Sequence, residues 1–91
     1  MVLRIDKMTS APQTVYLLSG HLESTDLAKL KEILNGGGRK VALDLEQVQL
    51  VDADAVLLLA VAELKGVELR NCPEFVRRWI QTETSRITGM D

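Results

Sequence analysis

Apolar positions along this 91-residue chain follow two periods, and the changes between them outline the elements. Residues 2–8 (VLRIDKM) alternate imperfectly between apolar and charged and predict an edge strand, where Arg4, Asp6 and Lys7 discourage pairing with another chain. A turn is expected over residues 9–13, which contain Pro12. Residues 14–19 (TVYLLS) are apolar on both faces and predict an interior strand, paired with the first as a hairpin and ended by Gly20. The period then becomes helical. Leu27, Leu30, Ile33 and Leu34 fall on one side and Lys29, Lys31 and Glu32 on the other. This predicts an amphipathic helix of about eleven residues. Ser24 or Thr25 is the expected cap, with Asp26 in the first turn. Asn35 and the glycines at 36–38 stop the helix.

The chain is organised around residues 40–64, KVALDLEQVQLVDADAVLLLAVAEL. An apolar strand over 41–45 leads into a short polar turn, and Asp52 and Asp54 open an alanine- and leucine-rich run. Residues 55–62 are apolar without a break, which suits a buried strand or a buried helix. Helix is favoured because Ala and Leu are the best apolar helix formers. Asp52 is a good N-cap, and Asp54 stands in the first turn near the positive end of the dipole. A parallel strand after 41–45 also needs a crossover, and this run is the only candidate before Gly66. Residues 67–70 predict a short strand and 71–73 a turn, with Pro73 at the first helical position. Residues 74–81 predict a last helix with Phe75, Val76, Trp79 and Ile80 inward.

The order β-β-α-β-α-β-α predicts an α/β fold: one domain with a four-stranded mixed sheet and helices packed on it. The domain is expected over residues 1–82, with 83–91 a polar, flexible tail in which Ile87 and Met90 are candidates to dock. Composition agrees with one small globular domain. Hydrophobic residues make up 46% and aromatic residues 3%, so the core must be aliphatic. A chain this short can fold alone and leaves room for a partner, a second copy included.

Net charge is −2, with no basic patch of the kind a phosphate backbone needs, which argues against nucleic acid as a ligand. Cys72 is the single cysteine, which excludes an intrachain disulfide and a cysteine metal cluster. The N-terminal stretch lacks a long apolar run of signal-peptide type, and no segment approaches the ~20 residues of a membrane span. The expected setting is bacterial and cytoplasmic, without direct membrane insertion.

In open α/β sheets function gathers beyond the carboxyl ends of the parallel strands. That edge is expected to collect His21, Glu23 and Ser24, then Asp44 with Glu46, Asp52 with Asp54, and Asn71. Asp52 and Asp54 are explained by helix initiation alone, at ~1 kcal/mol for a cap and ~0.3–1 kcal/mol for a first-turn carboxylate. A Mg²⁺ site from Asp44, Asp52 and Asp54 is a minor alternative, since no phosphate loop accompanies them. The glycines at 36–38 follow a helix and lack phosphate-loop spacing. His21 has no nucleophile or orienting partner in sequence, and Cys72 is better read as a small apolar residue than as an activated thiol. No nucleophile–base–orienter set assembles, so neither an enzyme nor a bound cofactor or metal is expected.

The residues themselves resemble a known family. VYLLSG followed by Leu22, the helix around Leu27 to Leu34, VALDLEQV, the segment Val51-Asp52-Ala53-Asp54-Ala55-Val56, and LRNCPEFVR at 69–77 together resemble the STAS domain of anti-sigma factor antagonists, the SpoIIAA-like fold. The resemblance covers most of the chain. It implies a non-enzymatic interaction switch. In such domains a hydroxyl at a helix start, within D-S-S/T-G-L, is phosphorylated by a partner kinase that doubles as an anti-sigma factor. Here Asp52 keeps the leading aspartate, Ala53 replaces the first serine, Asp54 stands at the acceptor and Ala55 replaces the glycine. No hydroxyl remains for a serine kinase at that point. Asp54 carries one negative charge against ~1.5–2 for phosphoserine. It either imitates the phosphorylated state in part or simply starts the helix.

The resemblance implies a protein partner: an anti-sigma factor of serine-kinase type or, because such domains also serve membrane transporters, a transporter subunit. Asp52, Ala53, Asp54 and Ala55 are the switch-equivalent positions, flanked by His21, Glu23, Ser24, Asp44, Glu46 and Asn71. A receiver-like domain accepting phosphate on Asp44 is a further alternative from a different class.

Overall fold

A computed structural model describes residues 3–10, 13–36 and 40–89. Four strands lie in the order β1 (Leu3–Ser10), β2 (Gln13–Leu22), β3 (Val41–Val51) and β4 (Glu68–Arg70). β1 pairs with β2 antiparallel, while β2–β3 and β3–β4 are parallel. Helices α1 (Leu27–Gly36), α2 (Ala53–Leu64) and α3 (Glu74–Ile87) complete the domain. The mixed four-stranded sheet and the element order are those expected from the sequence. The ambiguous run after Asp52 is a helix.

Both crossovers step one strand in the same direction. Right-handed connections therefore place α1 and α2 on one face of the sheet. That face carries Leu18, Leu22, Val41, Leu43, Leu45, Val48 and Val51, packed with Leu30 of α1, Val56, Leu59 and Ala60 of α2, and Val76 and Ile80 of α3. Full burial of each leucine or isoleucine stabilises by ~1.5–3 kcal/mol. On the opposite face no described helix packs. There Gln13 Nε2 donates to Glu68 at 2.8 Å, and the Arg70 guanidinium donates to both Glu68 and Gln13. These long side chains reach from β2 to β4 across β3, whose Ala42 lies fully buried between them.

Several boundaries differ from the sequence reading, each for a physical reason. The strand expected to end at Leu45 runs on to Val51, through the residues assigned to a polar turn. Its register against β2 shifts between Leu17 and Ser19 and again between Gly20 and His21. β3 thus carries two extra residues, and its buried positions fall at 45, 48 and 51 instead of every second residue. Gly20, at φ +96°, sits at the second shift and does not end β2, which continues to Leu22. The turn expected over 9–13 is shorter, since β1 reaches Ser10 and β2 begins at Gln13; Pro12 lies outside the described residues.

Ser24 and Thr25 do not cap α1. They lie within a 3-10 turn, Ser24–Asp26, before which the Glu23 N–H donates to the Asp26 carboxylate at 3.1 Å. Pro73 precedes α3 as its cap residue, with Glu74 first in the helix. α3 extends to Ile87, five residues into the stretch expected to be tail, while Met90 lies outside the described residues. Phe75 is not inward but 49% exposed; Val76 and Ile80 alone are fully buried on that helix.

Candidate functional site

The start of α2 is built by one side chain. Asp52 is extended, at φ −107° and ψ 176°, and its Oδ1 accepts the Ala55 N–H at 2.9 Å. Its Oδ2 accepts the Ser24 N–H at 2.7 Å, and its own N–H donates to the Leu22 carbonyl at 3.3 Å. The carboxylate therefore joins the 3-10 turn to the helix start, and the Asp52 N–H ties that start to the end of β2. The Ala55 amide is the main cause holding its pKa below the ordinary 3.8; partial desolvation opposes this, and the Ser24 amide adds to the lowering.

The positions around Asp52 differ in what they present. Ala53 and Asp54 are exposed in the first turn of α2, whereas Ala55 is buried in the core. Asp54 borders an open groove of about 360 Å³ between α1 and α2, lined also by Leu27, Lys31, Leu57, Leu58 and Val61. Leu57 is 42% exposed there. Glu23, half-buried, and Ser24, exposed, lie beside Asp52 across the amide contact. His21 is half-buried near the end of β2, paired in register with Leu50.

Asp44 is not at this edge. Because β3 continues seven residues past it, at ~3.3 Å per residue, Asp44 lies on the order of 20 Å from Asp52 along the strand. It sits on the sheet face away from the core, where its carboxylate accepts the Glu46 N–H at 3.0 Å and the Asn71 Nδ2 at 3.1 Å. The expected gathering of Asp44, Glu46 and Asn71 with the aspartate pair is thus split into two places. Asp44, Asp52 and Asp54 do not converge, and no group of three His, Cys, Asp or Glu poised to hold a metal occurs among the described residues. Asn71 adopts left-handed φ of +51°, a conformation Asn tolerates better than most residues.

Cys72 is half-buried, and desolvation pushes its thiol pKa up despite the nearby Arg77 guanidinium. Arg77 donates to Glu63 at 2.9 Å and ties α3 to α2. Sequence reasoning missed the groove residues Leu27, Lys31, Leu57, Leu58 and Val61. The signal was present in α2, whose apolar residues surround the helix and exceed what one buried face can use. No helix among the described residues is long and apolar enough to cross a membrane.

No family model and no curated protein sequence matches the chain. Among solved structures, an anti-sigma-factor antagonist STAS domain from Rhodobacter sphaeroides superposes with a TM-score of 0.57 at 19% identity, covering 91% of each chain. A protein of the DUF3478 family from Shewanella loihica, with a SpoIIAA-like fold, matches at a TM-score of 0.38 and 18% identity, over 69% of this chain and 54% of that one; a match so loose carries no argument. The first likeness covers nearly the whole chain, at an identity that speaks to architecture alone. The chain has the fold of a STAS domain.

Proposed function

We propose that this chain is a non-enzymatic interaction module of the anti-sigma-antagonist type, cytoplasmic and bacterial, whose partner-facing helix start is fixed in an anionic state. The observation that carries this reading is Asp54: an exposed carboxylate in the first turn of α2, beside an apolar groove, with no hydroxyl in the Asp52–Ala55 tetrad. Asp52 shapes the backbone of that start, Ala53 and Asp54 present it, and Ala55 anchors it in the core. Glu23 and Ser24 flank the contact surface, with His21 at its margin. Asp44, Glu46 and Asn71 form a separate, secondary surface. The partner is a protein with a cationic or hydrogen-bond-donating patch next to an apolar one, in keeping with Asp54 beside Leu57.

The test is a calorimetric titration of a partner protein encoded beside this chain with wild type, Asp54→Ser and Asp54→Lys. Both variants are expected to shift affinity at least tenfold, the lysine toward weaker binding. Equal affinities across the three proteins would remove Asp54 from the interface.

A further inference from the structure

A second cleft adjoins the groove beside Asp54, shares Lys31, Leu58 and Val61 with it, and runs from there to Lys65 and Gly66 past the far end of α2. Its volume is about 600 Å³, within the ~300–1,000 Å³ typical of small-molecule sites. Its floor is aliphatic: Leu34 of α1, Val41 of β3, Leu58, Val61 and Ala62 of α2, and Val67 ahead of β4. Its charged lining residues are Lys31, Lys40 and Lys65, and no carboxylate lines it among the described residues. This contrasts with the whole chain, where 13 acidic residues outnumber 11 Lys and Arg.

Helix dipoles account for only part of this pattern. Lys65 is the C-cap of α2, where a cation offsets the negative helix end. Lys31 stands mid-way along α1, more than a turn from its end, and Lys40 precedes a strand. Three cations from three elements therefore converge on an aliphatic floor without a backbone reason that covers all of them. A lysine head keeps its charge at the rim while its methylenes extend the apolar wall.

From this we infer a binding site for a free anionic amphiphile: an organic anion with a carboxylate, sulfonate or phosphate head at the lysines and an unbranched aliphatic body on the Leu34–Val41–Leu58–Val61 floor. Charge complementarity selects the head, and burial of methylenes selects the body. Lys31, Leu58 and Val61 also line the groove beside Asp54, whereas Lys40 and Lys65 line this cleft alone, so a variant of those two lysines tests the site apart from the role given to Asp54.

The test is titration of the ¹⁵N-labelled full chain with sodium dodecanoate below its micelle concentration, followed by amide shifts and calorimetry. Saturable one-to-one binding is expected, with shifts centred on Leu34, Val61, Lys65 and Val67. Affinity should fall about fourfold for each methylene removed from the chain. It should fall at least tenfold in the Lys40→Glu/Lys65→Glu variant, whose thermal melt reports that the fold is kept; if that melt drops, Lys40→Gln/Lys65→Gln takes its place. Dodecyltrimethylammonium, the cationic counterpart, should bind at least tenfold more weakly. Equal binding of that cation, equal binding of inorganic phosphate, shifts elsewhere, or binding only to phosphatidylglycerol vesicles would each overturn the assignment.

Discussion

The Asp52 carboxylate accepts the backbone N–H of Ser24 at 2.7 Å, a contact between residues 28 apart in sequence. The same carboxylate caps α2 through Ala55. One side chain therefore fixes both where α2 begins and how the loop after β2 lies against it. Asp54, two residues on, is displayed on a start whose backbone it does not itself hold.

Removing the Asp52 carboxylate should uncouple the two segments. An N-cap is worth ~1 kcal/mol and a hydrogen bond to a charged group ~1.5–3 kcal/mol. Asp52→Ala is expected to lower unfolding stability by roughly 2–3 kcal/mol in urea titrations, with Asp52→Asn losing less because its amide oxygen still accepts from one amide. If Asp52→Ala costs no more than an ordinary cap, the Ser24 contact contributes nothing.

The same residue sets an acid limb. Its pKa is lower folded than unfolded, so its contribution is fully present above the ordinary 3.8 and is lost as pH falls through the lower folded value. Stability measured from pH 5 down to pH 2 should decline less steeply in Asp52→Asn than in wild type. A wild-type slope retained by the variant would place the titration elsewhere.

Asn71 sits at φ +51° while its side chain donates to Asp44 at 3.1 Å. Left-handed backbone costs an ordinary L-residue ~1–2 kcal/mol. Asn71→Ala should destabilise by about 1 kcal/mol and Asn71→Gly should stay near neutral, since glycine relieves the backbone while losing an exposed hydrogen bond. The order of the two chemical-denaturation midpoints decides; reversal would make the Asp44 contact the dominant effect.

Arg77 and Glu63 join α3 to α2 at 2.9 Å with side chains about one-third exposed, at 30% and 36%. Solvent screening limits such a pair, and a double-mutant cycle with Arg77→Met and Glu63→Gln should give a coupling of ~0.5–1 kcal/mol. Coupling near zero would leave the α2–α3 contact to its apolar residues.

Cys72 should react slowly, because burial raises its thiol pKa and the thiolate is the nucleophile. Alkylation by iodoacetamide at pH 8 is expected to be several-fold slower than in the urea-unfolded chain. Equal rates would show that the thiol is not desolvated.

Much of the fold follows from local pattern. The 3.6-residue spacing of Leu27, Leu30 and Leu34 sets α1, and the Ala/Leu run behind Asp52 sets α2, because propensity and capping act within a few residues of chain. The sequence of the tetrad, Asp-Ala-Asp-Ala, by itself removes a phosphorylatable hydroxyl from that helix start. Other features needed the tertiary structure. β3 reaches Val51 only because β2 pairs with it through two register shifts, which scramble the alternation a strand would show in sequence. That extension carries Asp44 away from Asp52 and divides one expected site into two. The exposure of Leu57 beside Asp54 and the meeting of Lys31, Lys40 and Lys65 depend on how far apart α1 and α2 settle on the sheet. Spacing along the chain says which side of a helix a residue occupies, but only packing between non-local elements decides whether that side is covered.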